Sequence, residues 1–302
     1  MKNFLSLTSV TPQTITELLD YADRLKYESK HSIPHKVLDG KALGMIFQKA
    51  STRTRISFEM GMYQLGGTAL FLSANDMQLN RGESISDTAR VLSRYLDGIM
   101  IRAYYHSDVE ELAKHSDIPV INGLTDFCHP CQVLADLMTV REYRGALEGL
   151  KLCYIGDGNN MANSLIVGGL KTGMSVSVAC PEGYEPSPRV LDLAKSYEGH
   201  FSLVRDPLEA AANADVIFTD VWTSMGQESE KAARKAAFSD IYQVNDAVMA
   251  AANEGCMVQH CLPAHKGEEI TEKVFEAHAK EIFDEAENRL HAQKAIMATL
   301  MI

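Results

Sequence analysis

Ser51, Thr52, Arg53, Thr54 and Arg55 put three hydroxyls and two guanidinium groups into five consecutive residues, shortly after the apolar run LGMIF. Such a cluster could be no more than helix-capping hydroxyls beside surface arginines. It also offers hydroxyl and guanidinium donors and no acidic side chain, at a point where an apolar strand gives way to a helix. The first N–H groups of a helix lack partners, the dipole is positive there, and arginine matches phosphate geometry, so the segment suits a multiply charged anion. On a helix, residues 53 and 55 point about 200° apart. The two arginines therefore cannot grip one anion; Arg53 is the expected ligand and Arg55 the residue that braces the helix.

Other segments carry chemistry of the same kind. Arg102 ends the strand-like GIMIR, where a charge must face either a ligand or a buried ionic partner. HPCQ, from His129 to Gln132, sets an imidazole and an amide at a helix start. Its CxxC spacing could be read as redox or zinc chemistry, but no second ligand pair follows, and Pro130 fits the first position of a helix better. GDGNN, from Gly156 to Asn160, follows the strand-like KLCYI and imitates a dinucleotide-binding GxGxxG. The third glycine is replaced by Met161, which argues against a nicotinamide cofactor, and the asparagines suit a zwitterion equally well. Further on, DVWTSMG supplies Asp220, Ser224 and Met225, and HCLP supplies His260, Cys261 and Leu262. An aspartate with a hydroxyl can receive an ammonium group. A cysteine beside them is more often a small buried apolar residue than a nucleophile.

These segments need elements to hold them. Thr11-Pro12 opens a helix with Leu18, Leu19, Ala22 and Leu25 on one face. Strands are expected over 42–48, 68–73, 98–102 and 118–121, with helices from about 52, over 86–96 and over 130–143. After the polar stretch 141–151 the alternation restarts with KLCYI, a helix from about 160, SVSVAC, a helix over 188–198, DVIFTD and MVQH. EIFD, 281–284, is expected as one more short strand before a long final helix. Alternation of this kind predicts an α/β protein of two domains, each a parallel β-sheet flanked by helices. Ligands in such sheets bind at the carboxyl ends of strands, where all of the segments above fall.

The 302 residues suit two domains, and a content of 46% hydrophobic and 23% charged residues suits a globular chain. A net charge of −11 argues against a nucleic-acid partner. Apolar stretches are of strand size and the start of the chain has no signal-peptide core, so neither a membrane partner nor secretion is expected and a cytoplasmic location is. Six scattered cysteines fit a reducing compartment.

With STRTR, HPCQ, GDGNN, DVWTSMGQE, HCLP and DEAENR in that order, the chain resembles the ornithine carbamoyltransferases from residue 51 to residue 289. STRTR and HPxQ are shared with aspartate carbamoyltransferases; DxxxSMG and HCLP mark the ornithine branch. The resemblance implies a carbamoyl-phosphate domain of residues 1–143, joined by a returning C-terminal helix over 285–302, and an ornithine domain of residues 144–284, in a homotrimer. It implies that carbamoyl phosphate is held by Ser51, Thr52, Arg53, Thr54, Arg102, the HPCQ residues His129, Pro130, Cys131 and Gln132, and Arg289. Gln78 is then the residue that enters a neighbouring subunit's site. Asn160, Asp220, Ser224 and Met225 fall to L-ornithine, and Cys261 and Leu262 lie where the substrates meet. Arg102, His129, Asp220 and Cys261 are the expected catalytic groups, with no metal or cofactor. The expected reaction is direct attack of a neutral δ-amine on the carbamoyl carbon. Another amine such as putrescine is the nearest alternative, and an oxidoreductase using GDGNN a remoter one.

Overall fold

The structure, a computed structural model, describes residues 1–78, 82–224, 226–239 and 241–302. It falls into two compact units, Met1–Met138 with Glu287–Ile302, and Thr139–Ala286.

The first unit holds strands β1 (Ala42–Phe47), β2 (Thr68–Ser73), β3 (Gly98–Arg102) and β4 (Val120–Leu124) and helices α1 (Pro12–Lys30), α2 (Thr52–Gln64), α3 (Ile85–Leu92) and α4 (His106–His115). The strands are parallel in the order β2-β1-β3-β4. Strand order therefore reverses between β1 and β3, which opens a crevice at their carboxyl ends. Register fixes what stands there: Phe47 of β1 lies opposite Arg102 of β3, and Gln48 N–H donates to the Arg102 carbonyl at 2.9 Å. Helix α5 (Pro130–Arg144) follows β4 and carries the chain into the second unit.

The second unit has strands β5 (Lys151–Ile155), β6 (Ser175–Ala179), β7 (Phe201–Val204), β8 (Val216–Thr219) and β9 (Met257–His260), parallel in the order β7-β6-β5-β8-β9. Here the reversal lies between β5 and β8, so GDGNN and Asp220 flank it. Its helices are α6 (Asn160–Lys171), α7 (Pro188–Ala194), α8 (Pro207–Ala211), α9 (Lys231–Phe238), α10 (Asp246–Ala251) and α11 (Glu272–Ala277). Helix α12 (Ala279–Met301) begins in this unit and ends in the first.

Two differences from the sequence expectation have simple causes. Residues 281–284 are helical, inside α12, with Ile282 buried and Phe283 exposed. An apolar pair that short fits either period. Strand β7 and helix α4 lie in stretches for which no element was predicted. β7 is an edge strand with only partial burial, so it has little alternation to detect. In α4 the apolar face is Val109, Leu112 and Ala113 in a largely charged segment.

Helix α12 is fastened to the first unit by polar and steric contacts. A Cβ added to Gly61 of α2 would stand 2.7 Å from Met297 Cε, so the glycine lets the two helices approach. Lys294 of α12 is buried, and its Nζ donates to Ser29 Oγ at 2.7 Å, Gln64 Oε1 at 2.9 Å and His35 Nε2 at 3.1 Å. Ser29 is next to last in α1 and Gln64 last in α2, so the ammonium sits at the negative ends of two helix dipoles. Burial nevertheless lowers its pKa to about 8, against a smaller opposing pull from Glu28.

The unfolded chain, with a lysine pKa of about 10.4, binds more protons than the folded one between that value and pH about 8. Stability contributed through Lys294 therefore rises with pH across this window. Relative to Lys294→Met, which has no such proton, the wild-type protein is expected to gain stability as the pH climbs from about 8 to about 10. Denaturant midpoints of the two proteins measured in parallel decide it; a constant difference would mean that the lysine titrates as if in water.

Candidate active site

In the first unit, Ser51 caps α2 by accepting Thr54 N–H at its Oγ, 3.3 Å away. The other N–H groups of the first turn of α2, which follows the carboxyl end of β1, have no partner within the helix. Thr54 is fully buried, and its Oγ1 accepts from Arg289 Nη2 of α12 at 2.9 Å. Arg102 and His129 are each 5% exposed and Arg289 is 3% exposed. Burial, then the charges of Arg289, Arg102 and Arg53, hold the His129 pKa well below the ordinary imidazole value. His129 is thus neutral at neutral pH and sits among three guanidinium groups. Arg55 turns the other way: it pairs with Glu59 at 2.9 Å and lies 4.0 Å from the centre of the Phe71 ring.

The start of α5 adds Gln132, fully buried, with Nε2 donating to Asp136 Oδ1 at 2.9 Å. The CxxC pair is not a disulfide. Cys131 Sγ donates to the Asn122 carbonyl at 3.3 Å, and burial pushes its thiol pKa up to about 12, so it is an inert buried thiol. What Cys131 can offer an anion is its backbone N–H in the first turn of α5, where Pro130 has none. Gln78 is exposed, beside the undescribed residues 79–81.

In the second unit, the GDGNN turn is held by its own chain. Gly158 N–H donates to the Tyr184 carbonyl at 2.9 Å. A Cβ on Gly158 would lie 2.3 Å from Glu185 C and from Pro186 N. The space that a dinucleotide-binding loop reserves for pyrophosphate is here taken by backbone, and Met161 is buried where the third glycine would stand. The turn does not fit a nicotinamide cofactor.

Asn159 caps α6 through Oδ1, which accepts Met161 N–H at 2.9 Å, while its Nδ2 donates to Asp220 Oδ2 at 2.8 Å. Asp220 Oδ1 in turn accepts from Cys261 Sγ at 3.1 Å. Carboxylate and thiol are therefore joined, with Asn160, the first residue of α6, next to the asparagine that orients the carboxylate. Ser224 N–H donates to Gln227 Oε1 at 3.0 Å. Met225 lies outside the described residues.

The HCLP turn has a support of its own. Leu262 N–H donates to His260 Nδ1 at 2.9 Å, so the imidazole proton is on Nε2, which donates to Glu269 Oε1 at 2.9 Å. Both His260 and Glu269 are buried. Leu262 has φ +57°, a left-handed conformation that a branched side chain adopts at a cost, and this bond holds it there. Asp220, His260 and Cys261 place possible metal-ligand atoms within 4.8 Å of one another. Both imidazole nitrogens are engaged by Leu262 and Glu269, and the Cys261 thiol by Asp220. A last contact concerns Arg234 of α9, which donates to Asp157 Oδ2 at 2.7 Å and to the Trp222 carbonyl at 3.2 Å. Burial raises the Asp157 pKa to about 6 in spite of that partner.

The first unit thus gathers Ser51, Thr54, Arg53, Arg102, His129 and Arg289, and the second gathers Asn160, Asp220 and Cys261, with Leu262 on the turn behind them. Glu269, Asp136 and Arg234 were not among the expected site residues, and Asn159, expected with Asn160 to suit a zwitterion, caps α6 and orients Asp220. Only Asn159, inside GDGNN, had a local signal, since Asn is a preferred helix cap.

Both halves of the chain match models of one family. A family model described as the carbamoyl-P binding domain of aspartate/ornithine carbamoyltransferase matches residues 2–142. The Asp/Orn binding domain of the same family matches residues 148–300. An ornithine carbamoyltransferase of Thermococcus kodakarensis is 53% identical over 99% of this chain and 96% of its own. One from Geobacter metallireducens is 52% identical over 99% of each chain. Among solved structures, an ornithine carbamoyltransferase from Pyrococcus furiosus has a TM-score of 0.94 at 52% identity, covering 99% of this chain and 97% of its own.

Gly158→Ala is expected to destabilise the protein by about 1–3 kcal/mol, since the methyl meets backbone that cannot swing aside. Thermal or denaturant unfolding measures this, and an unchanged midpoint would show that the 184–186 segment yields freely.

Proposed function

The chain belongs to the aspartate/ornithine carbamoyltransferase family, and from that premise we propose that it transfers the carbamoyl group of carbamoyl phosphate to the δ-amine of L-ornithine, giving L-citrulline and phosphate. The observation that carries this reading is the set of three arginines around an uncharged His129 at the start of two helices. It supplies donors and positive charge, which suits a phosphate that leaves with growing negative charge.

In this reaction the amine nitrogen attacks the carbamoyl carbon, and the carbonyl oxygen gains charge in a tetrahedral intermediate. Thr54, Arg102 and neutral His129 stabilise that oxygen. The C–O bond to phosphate then breaks, and the phosphate is received by Ser51, Thr52, Arg53, Thr54 and Arg289. The attacking amine must be neutral, whereas in water at neutral pH it would be largely protonated. The Cys261–Asp220 pair accepts its proton. Asn160, Ser224 and Met225 hold the α-amino acid end, which favours ornithine over a plain diamine. Cys131 and Pro130 complete the helix start, and Leu262 presents the turn where the substrates meet.

A homotrimer follows from the same premise, with Gln78 reaching a neighbouring site. Ile56, Met60 and Tyr63 on α2 and Leu70 and Phe71 on β2, an edge strand, are exposed apolar residues of one unit that support burial in a partner. No described helix is long and apolar enough to cross a membrane. Work in the cytoplasm, in arginine biosynthesis, is the setting this reading implies; the similar Pyrococcus furiosus enzyme is described as anabolic.

Purified protein given carbamoyl phosphate and ornithine is expected to form citrulline; putrescine offered in place of ornithine is expected to be a poor acceptor, and equal rates would remove the amino-acid assignment. Arg53→Ala is expected to raise the KM for carbamoyl phosphate roughly 10- to 100-fold, the worth of a charge-assisted contact, and to lower turnover. Arg55→Ala should leave that KM within about twofold. Similar effects of the two substitutions would refute the division of roles between them.

A further inference from the structure

Gln132 and Asp136 stand one turn apart on α5, and both are buried, Gln132 fully and Asp136 at 1% exposure. Gln132 Nε2 donates to Asp136 Oδ1 at 2.9 Å. The two ends of a glutamine amide are nearly equal in size and opposite in hydrogen-bonding sense. A carboxylate has no proton to give, so only the NH2 end can face Asp136, and the carbonyl oxygen is turned to the other side. His129 stands at the N-cap of α5, its carbonyl accepting Val133 N–H at 3.2 Å, and Gln132 follows in the first turn of that helix. The charged groups that act on His129 are the guanidinium groups of Arg289, Arg102 and Arg53, all donors. A fixed acceptor in a site made of donors is a chemical distinction, and it is the kind that selects among acyl groups.

We infer that Asp136 is a positioning residue for acyl-group selectivity: it holds the Gln132 amide so that the carbonyl oxygen, not the NH2, is offered to the substrate. This rests on the proposed binding of carbamoyl phosphate by the first unit and deepens it. Carbamoyl phosphate and acetyl phosphate have the same outline and the same phosphate. They differ in an NH2 that donates and a methyl that does not. A carbonyl fixed toward the acyl group gains a partner from the first and is left without one by the second, which is how buried hydrogen-bonding sites reject close analogues. In Asp136→Asn the shape is kept, but the new amide can meet Gln132 with either end, so the Gln132 amide is free to turn over.

The experiment compares the KM for carbamoyl phosphate with the inhibition constant of acetyl phosphate in four proteins: wild type, Asp136→Asn, Gln132→Met and the double variant. Asp136→Asn is expected to reduce the preference for carbamoyl phosphate roughly tenfold, by raising its KM while acetyl phosphate stays within about twofold. Gln132→Met should do the same, and adding Asp136→Asn to it should change the ratio no further. Equal weakening of both ligands, as from a loosened helix, would overturn the inference, as would an additional loss in the double variant. Asp136→Ser, which also ends the obligate acceptor, is read in the same way should Asp136→Asn fail to fold. Citrulline formation by the wild type is the control. Its absence would speak against the proposed reaction, whereas a productive wild type with unchanged selectivity in Asp136→Asn speaks against the role of Asp136.

Discussion

Burial, and after it the charges of Arg289, Arg102 and Arg53, keep His129 from taking a proton. Three like charges in one place repel one another, and two of them, Arg102 and Arg289, are almost wholly removed from water. Nothing in a guanidinium group's own chemistry favours that arrangement. It is imposed by three backbone elements that arrive from different parts of the chain: the start of α2, the end of β3 and the middle of α12. The β1–β3 register fixes the first two relative to each other. The third is fixed by the Arg289–Thr54 bond and by the lysine that fastens α12 to the far ends of α1 and α2. The repulsion is opposed by polar bonds that keep α12 in place, from Arg289 to Thr54 and from Lys294 to Ser29 and Gln64.

The second unit meets the opposite requirement. It sets a carboxylate beside a thiol, Asp220 beside Cys261, and both are held in a fixed orientation. Asn159 and Val221 N–H hold Asp220, and the Glu269–His260 pair holds the backbone at Leu262 in a conformation it would not choose alone. The strain at Leu262 is thus matched by a buried hydrogen-bond chain. The supports are as specific as the groups they support.

Much of this was legible in the sequence, for a definite reason. In parallel sheets the functional loops follow strands, and STRTR, GIMIR, GDGNN, DVWTSMG and HCLP each announce a strand by an apolar run just before the polar cluster. The split between Arg53 and Arg55 came from the helical period alone, and Arg55 does turn to Glu59 and Phe71. The supporting shell was not legible. Asp136 and Glu269 are single acidic residues in segments with ordinary patterns, and their partners are visible only when the chain is folded. Arg234 looks like a surface residue of a charged helix, KAARKAAF, yet it is buried against Asp157. The misread EIF segment has the same origin: a pair of apolar residues has no period.

Thr54 and Arg289 are 235 residues apart in sequence, and between them lies the whole of the second unit. On the ribosome this separation becomes a delay. At cellular rates of synthesis, α12 follows α2 after roughly 10 to 50 seconds. During that interval the nascent first unit has its sheet and α2, but lacks the arginine that closes the anion nest and the lysine that covers the ends of α1 and α2. The second unit, continuous in sequence, has every strand of its sheet synthesised before α12 is complete. The unit begun first is therefore the one finished last, and the final helix is the step that brings Arg289 and Lys294 to a sheet already synthesised.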